Sequence, residues 1–237
     1  MRNKIFLTGI LLSIPLSFIL IWLASRHIYW SDNNWQQRIW LHRTNSPEKM
    51  KEFAGEYNGF ECDVLLRSDS LIDVTHDEPV SYGISAESFF PLLQHNTRNL
   101  WFDFKNLNSD NAVAALNLFE KWCDRYDIDK RRLILEGSDT YALSLFHDHG
   151  FYTAYYVRME EGRNLNDILK SGAVDALSFH ASDYNRIAST VTESSDWLVW
   201  EHRHSREVLP FLPRGRKLLH DTRVKIILVK DKGHHHL

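Results

Sequence analysis

The stretch FECDVLLRSDSLIDVTHDEP, residues 60–79, places four ionisable side chains inside runs that otherwise read as strand. Glu61 and Asp63 interrupt one apolar run, and His76 and Asp77 close the next. On a strand, residues two apart share a side, with backbones about 6–7 Å apart. Glu61 and Asp63 therefore point the same way and Cys62 points the other. Two carboxylates so close repel unless a proton or a cation lies between them. A hard divalent cation, Mg²⁺ or Ca²⁺, suits oxygen ligands of this kind. Taken alone, the pair also fits the solvent side of a half-exposed strand, so its neighbours in the chain decide the matter.

Outward from this stretch the chain alternates. Short apolar runs, RIWLH (38–42), GFECDVLL (59–66), NLWFDFK (99–105), RLILEG (132–137), FYTAYYV (151–157), DALSFH (175–180), DWLVWEH (196–202) and VKIILV (224–229), are separated by segments of helical period. LIDVTHD (71–77) adds one further extended segment. Ser46 before Pro47 and Ser109 before an Asn-Ala run read as helix starts, and Gly150 and Gly172 as helix ends. Strands alternating with helices imply a parallel sheet. Eight such units over residues 38–231 predict an α/β fold, a small (β/α)8 TIM barrel, with a doubly wound open sheet as the alternative. Polar residues cluster at the C-terminal ends of the runs: His42 and Arg43, Glu61 and Asp63, Asp103 and Lys105, Glu136, Arg158, His180 and Glu201. In a barrel those ends converge on the face where active sites are built.

Composition narrows the classes. With 13 Phe, 9 Tyr and 8 Trp the 237-residue chain can bury a large core, and a net charge of -3 gives no basic excess for nucleic acid. Two cysteines, Cys62 and Cys123, make no disulfide framework and read as buried thiols, with a single bridge between them as the alternative. Residues 5–25 carry no charge and follow Arg2 and Lys4. That length suits an uncleaved transmembrane helix with a cytoplasmic N-terminus, a cleaved signal being the alternative. The expected organisation is a membrane segment at 1–26, a linker at 27–37, the barrel at 38–231 and a tail at 232–237. The barrel is expected on the extracytoplasmic side, periplasmic or extracellular.

Asp103, ending LWFDF, offers a third carboxylate from a neighbouring strand. His42 and His76 titrate near neutrality and suit general acid–base work. Asp77 is placed to orient His76, although adjacent residues often cannot pair side chain to side chain. Arg43 and Lys105 add positive charge beside the acids. Cations, a metal site and two histidines together describe a site for a phosphate ester. Glu136, His180, Tyr156 and Arg158 are further candidates for lining it. No Gly-x-Ser-x-Gly, Walker-type loop or Cys-x-x-Cys is present.

LHR (41–43), FECDV (60–64), THDEP (75–79) and LWFDFKN (100–106) resemble, in order, the HR, ExD, HD and E-x-K signatures of the glycerophosphodiester phosphodiesterases. These belong to the phospholipase-C-like TIM barrels. The resemblance implies His42 and His76 as the acid–base pair. It implies Glu61, Asp63 and Asp103 as ligands of a divalent cation, and Arg43 and Lys105 as phosphate binders, with Glu136 and His180 as candidate substrate contacts. It implies a phosphodiester or phospholipid-derived substrate. The chain departs from the pattern at Thr44, where the family usually has Gly, and at Asp103, where Glu is usual. It is also short between His42 and Glu61. The competing class is a non-catalytic, membrane-anchored barrel that binds a lipid, glycan or protein partner, and a cyclising transfer is a third outcome of the same site.

Overall fold

The computed structural model describes residues 33–68, 71–158 and 162–231. The chain divides into two compact units between Gln37 and Arg38, and among the described residues all nine strands lie in the second. The expected membrane segment at 5–25 and the tail lie outside the described residues. Among the described residues no helix is long and apolar enough to cross a membrane.

A short helix α1 (Asn33–Arg38) leads into β1 (Ile39–Leu41), α2 (Pro47–Phe53), β2 (Gly59–Leu66) and β3 (Ile72–Val74). Then come α3 (Phe90–Gln94), β4 (Asn99–Phe104), α4 (Ala112–Tyr126), β5 (Leu133–Gly137), α5 (Thr140–Asp148) and β6 (Tyr152–Tyr156). The chain continues with α6 (Leu165–Lys170), β7 (Ala176–His180), α7 (Tyr184–Thr190), β8 (Asp196–Glu201), α8 (Pro213–His220) and β9 (Val224–Val229). The strands run in the order β1-β9-β8-β7-β6-β5-β4-β2-β3, and β1 also pairs with β2 through Leu41 and Phe60. That last pairing closes the sheet and excludes the open, doubly wound alternative. Every neighbouring pair around the ring is parallel; β3 alone is antiparallel, hanging on β2 outside the barrel. LIDVTHD is thus strand only over Ile72–Val74.

Alternation along each strand divides the core in two. Inward-facing Trp40, Trp101, Ile134, Ala154, Leu198 and Leu228 fill the barrel below the site. Gly59 is required there: a Cβ on it would lie 2.1 Å from Cδ2 of Trp40. The outward faces are covered by helices. Phe102 on β4 meets Phe119 of α4 edge-on at 4.9 Å, and Phe119 meets Trp122, Phe146 and Phe151 at 5.3–6.2 Å. Each such ring removes about 150–250 Å² from water, which makes this cluster a main source of stability.

The helix boundaries follow local chemistry. The Ser46 hydroxyl accepts the Lys49 N–H at 3.2 Å ahead of Pro47, as the sequence implies. Gly150 (φ 88°) and Gly172 (φ 69°) supply the left-handed residues past α5 and α6. The start read at Ser109 is corrected: α4 begins at Ala112, with Asn111 before it. The intervening residues are held in a polar loop. Asn111 Nδ2 donates to Asn106 O at 2.7 Å, Asn111 Oδ1 accepts from Asn108 N at 2.9 Å, and Ser109 N donates to Asp139 Oδ2 at 3.2 Å.

Candidate active site

β2 and β4 pair in register, with Glu61 opposite Trp101 and Asp63 opposite Asp103. One oxygen each from Glu61, Asp63 and Asp103 lies within 4.8 Å of the others. Glu61 and Asp63 are each only 1% exposed, so the half-exposed-strand reading does not hold. Buried like charges need compensation, and Lys105 provides part of it. Its Nζ stands 2.7 Å from Asp63 Oδ1 and also hydrogen-bonds Asp103 Oδ2. An ammonium thus occupies one side of the carboxylate cluster. Burial opposes charge on Lys105, but Asp103, Asp63 and Glu61 outweigh it and raise its pKa.

The three acids differ. Burial, reinforced by Asp63 and Asp103, pushes Glu61 well above the ordinary carboxylate range. Burial also raises Asp103, against the pull of Lys105. Burial would raise Asp63 too, but Lys105 and a hydrogen bond from Asn45 hold it below its usual value. Asn45 grips Asp63 twice: Nδ2 donates to Oδ2 and Oδ1 accepts the Asp63 N–H, each at 3.0 Å.

The loop after β1 is shaped to serve Glu61. Arg43 takes a left-handed backbone (φ 52°), uncommon for a residue with a Cβ. That turn aims its N–H at Glu61 Oε2, 2.7 Å away, while Thr44 N donates to Glu61 O at 2.6 Å. Lys49 Nζ caps the Arg43 carbonyl at 2.8 Å. The Arg43 guanidinium Nε lies 3.9 Å from Asp63 Oδ2. The second oxygen, Glu61 Oε1, is buried with no hydrogen-bond partner. A buried carboxylate oxygen left unsatisfied beside two further acids fits a divalent cation, since metal ligation supplies the partner it lacks.

Both histidines reach this rim. His42 Nε2 lies 3.5 Å from Glu61 Oε2. Burial lowers its pKa to about 3 despite Asp63, so the ring is neutral near pH 7. His76, with a side chain 47% exposed, has Nδ1 2.7 Å from Asp77 Oδ1; the adjacent pair does interact. His76, Asp77, Asp63, Arg43, Asn45 and Tyr82 line a cavity of about 160 Å³.

The other candidates lie outside that lining, and Arg158 borders a separate cavity of about 210 Å³ with Asn164, Asn166 and Arg186. Glu136 is fully buried, accepting from Trp101 Nε1 at 2.6 Å and from the Ser178 hydroxyl. Burial, reinforced by the nearby Asp103, pushes its pKa well above the ordinary carboxylate range. His180 Nδ1 pairs with the Ser182 hydroxyl at 2.7 Å, and its ring centroid is 4.8 Å from that of His202. His202 in turn lies 5.9 Å from His42. Tyr156 stacks on Trp200 at 4.8 Å, and the Arg158 guanidinium sits 5.6 Å from the Tyr156 ring centre. Glu201 is buried and paired with His204 at 2.9 Å.

Sequence reasoning missed Asn45, Tyr82 and His202. Nothing in TNSPEKM marks Asn45, because its partner is eighteen positions away in the chain. His202 closes the run DWLVWEH, and only the closed ring sets it beside His42 and His180.

Solved structures share this arrangement of strands and helices. Its fold is that of the glycerophosphodiester phosphodiesterases. A structure named as such an enzyme from Galdieria sulphuraria aligns at TM-score 0.62 and 12% identity over 81% of this chain and 93% of its own. An Oleispira antarctica phosphodiesterase, solved with the product sn-glycerol-3-phosphate, aligns at TM-score 0.58 and 11% identity over 81% and 92%. A Parabacteroides distasonis glycerophosphoryl diester phosphodiesterase aligns at 0.57 and 12% over 83% and 84%. No family model matches the sequence, and comparison with curated proteins returns no match.

Proposed function

We propose that this chain is a divalent-cation-dependent phosphodiester hydrolase of the glycerophosphodiester phosphodiesterase family, acting on glycerophosphodiesters or phospholipid head groups. The observation that carries the reading is the convergence of Glu61, Asp63 and Asp103 within 4.8 Å, beside His42 and the His76–Asp77 pair. The barrel it shares with named phosphodiesterases supports it.

Glu61, Asp63 and Asp103 would hold the cation, Mg²⁺ or Ca²⁺, which neutralises charge on the phosphoryl oxygens when bound. Arg43 and Lys105 bring positive charge to the same phosphate. His42, a neutral imidazole, accepts the proton of the attacking water or substrate hydroxyl as the new P–O bond forms. His76, oriented by Asp77, gives a proton to the alkoxide that leaves as the old P–O bond breaks. His202 stands beside His42 with His180 next to it, and Glu136 braces Trp101 and Ser178 beneath the acids. With residues 5–25 as a membrane span, the barrel stands on the extracytoplasmic side, close to lipid-derived substrates.

The test is phosphorus NMR of glycerophosphocholine incubated with the purified chain and Mg²⁺ or Ca²⁺. Release of glycerol phosphate is expected, and its loss in His42→Ala and His76→Ala while circular dichroism stays native. A folded chain that binds the cation yet cleaves neither glycerophosphodiesters nor lysophospholipids would favour the non-catalytic barrel instead.

A further inference from the structure

Outside the acid cluster, the rim carries a second built arrangement. Asp73 on β3 is fully buried although it is charged and sits on a strand outside the barrel ring. Its Oδ2 accepts from Arg67 Nε at 3.0 Å and from Arg67 Nη2 at 2.8 Å. The guanidinium then turns to the loop that follows β3. Nη2 donates to Val80 O at 2.5 Å, and Nη1 donates to Glu78 O.

That loop carries His76, Asp77 and Tyr82 into the wall of the cavity. Its ends are fixed by backbone: Thr75 N donates to Asp63 O at 3.0 Å and Val74 N to Ile84 O at 2.8 Å. Between these points its own bonds are local, from Val80 N to Asp77 O and from Gly83 N to Ser81 Oγ. Among the described residues, Arg67 makes the hydrogen bonds that tie residues 78–83 to anything outside the loop. Burying a charge pair is a poor way to gain stability, because desolvation offsets the attraction and an apolar pair serves as well. What the pair adds is a fixed direction for the guanidinium fork.

We propose that Arg67, braced on Asp73, is a positioning residue for the phosphodiester reaction, holding the 75–84 loop so that His76 faces the Glu61–Asp63–Asp103 site. The role rests on the function proposed above. It acts through His76 and touches neither cation nor substrate.

The experiment compares the full chain with Arg67→Met and Arg67→Lys in three readouts: kinetics on glycerophosphocholine, calorimetric Mg²⁺ binding, and amide hydrogen exchange. Misplacing a catalytic group by about 1 Å costs up to ~100-fold in rate, so Arg67→Met is expected to lower kcat by about 10- to 100-fold. KM and Mg²⁺ affinity stay near wild type, and exchange quickens in residues 75–84 and not in the barrel strands. Arg67→Lys keeps the charge without the fork and recovers part of kcat; it carries the same readouts should Arg67→Met fail to fold. A kcat unchanged in both variants overturns the inference. So does a fall in kcat that tracks lost Mg²⁺ affinity and faster exchange throughout the barrel, which marks a plain structural role. If the wild-type chain cleaves no diester, the proposed function falls and this role with it, an outcome identified by the wild-type control alone.

Discussion

Replacing Lys105 by Met separates the electrostatics of the site from its chemistry. Lys105 is the counter-ion of Asp63, whose side chain is 2% exposed, and of Asp103. Removing one partner of a buried ion pair costs about 3–5 kcal/mol, because the remaining charge stays desolvated. For a domain of this size each kcal/mol moves Tm by about 2–4 °C, so a fall of roughly 6–20 °C is expected in EDTA at neutral pH. The pH dependence has a definite sign. In the wild type, the lowered pKa of Asp63 contributes stability above its unfolded value and loses it as pH falls through the folded one. Glu61 and Asp103 are raised, so the folded state takes up protons as pH falls and gains stability from them. Without Lys105 all three acids join the second class. The deficit of Lys105→Met therefore shrinks between about pH 7 and pH 5. It shrinks at neutral pH too when Mg²⁺ or Ca²⁺ replaces EDTA, and the Tm gain from the cation exceeds that of wild type, in which the cation meets the ammonium. Thermal denaturation followed by circular dichroism gives every quantity. If Lys105→Met melts with the wild type in EDTA at neutral pH, the carboxylates do not carry the buried charge assigned to them.

Changes at three further positions test the frame. Gly59→Ala drives a methyl into the Trp40 ring, at 2.1 Å from Cδ2, and is expected to cost about 1–3 kcal/mol in urea denaturation. Glu136→Gln keeps a carbonyl oxygen for Trp101 Nε1 but puts a donor where the Ser178 hydroxyl finds an acceptor, so the hydroxyl must rotate to accept and the change costs about 1 kcal/mol or less; Glu136→Leu orphans the indole N–H and loses about 1–3 kcal/mol in the same assay. Phe119→Ala removes the ring shared by Phe102, Trp122, Phe146 and Phe151 and should cost about 3–5 kcal/mol, read as an earlier denaturation midpoint at constant m-value.

What the sequence discloses here is periodic or local. Alternation alone places Glu61 and Asp63 on one side of β2, and strand order adds Asp103 in register beside Asp63. The helix ends at Gly150 and Gly172 are equally local, because a left-handed residue needs no distant partner. Ser109 misleads for the opposite reason. Its N–H is drawn to Asp139, a residue thirty positions on, and the helix starts later. Asn45, His202 and the Arg67–Asp73 brace gain meaning only from neighbours that the closed ring brings together. Lys105 is legible as a cation near the acids, but its place between Asp63 and Asp103 is a matter of rotamer and register.

On the proposed function, three acids and two histidines form one cation-assisted phosphodiester site. Crystals soaked in Mn²⁺ and measured by anomalous scattering test it most directly. One peak is expected, bonded to an oxygen of each of Glu61, Asp63 and Asp103 at about 2.0–2.6 Å, with Glu61 Oε1 among the ligands and Lys105 Nζ moved from its bridge. A peak elsewhere, or no peak with Lys105 still spanning Asp63 and Asp103, would contradict it.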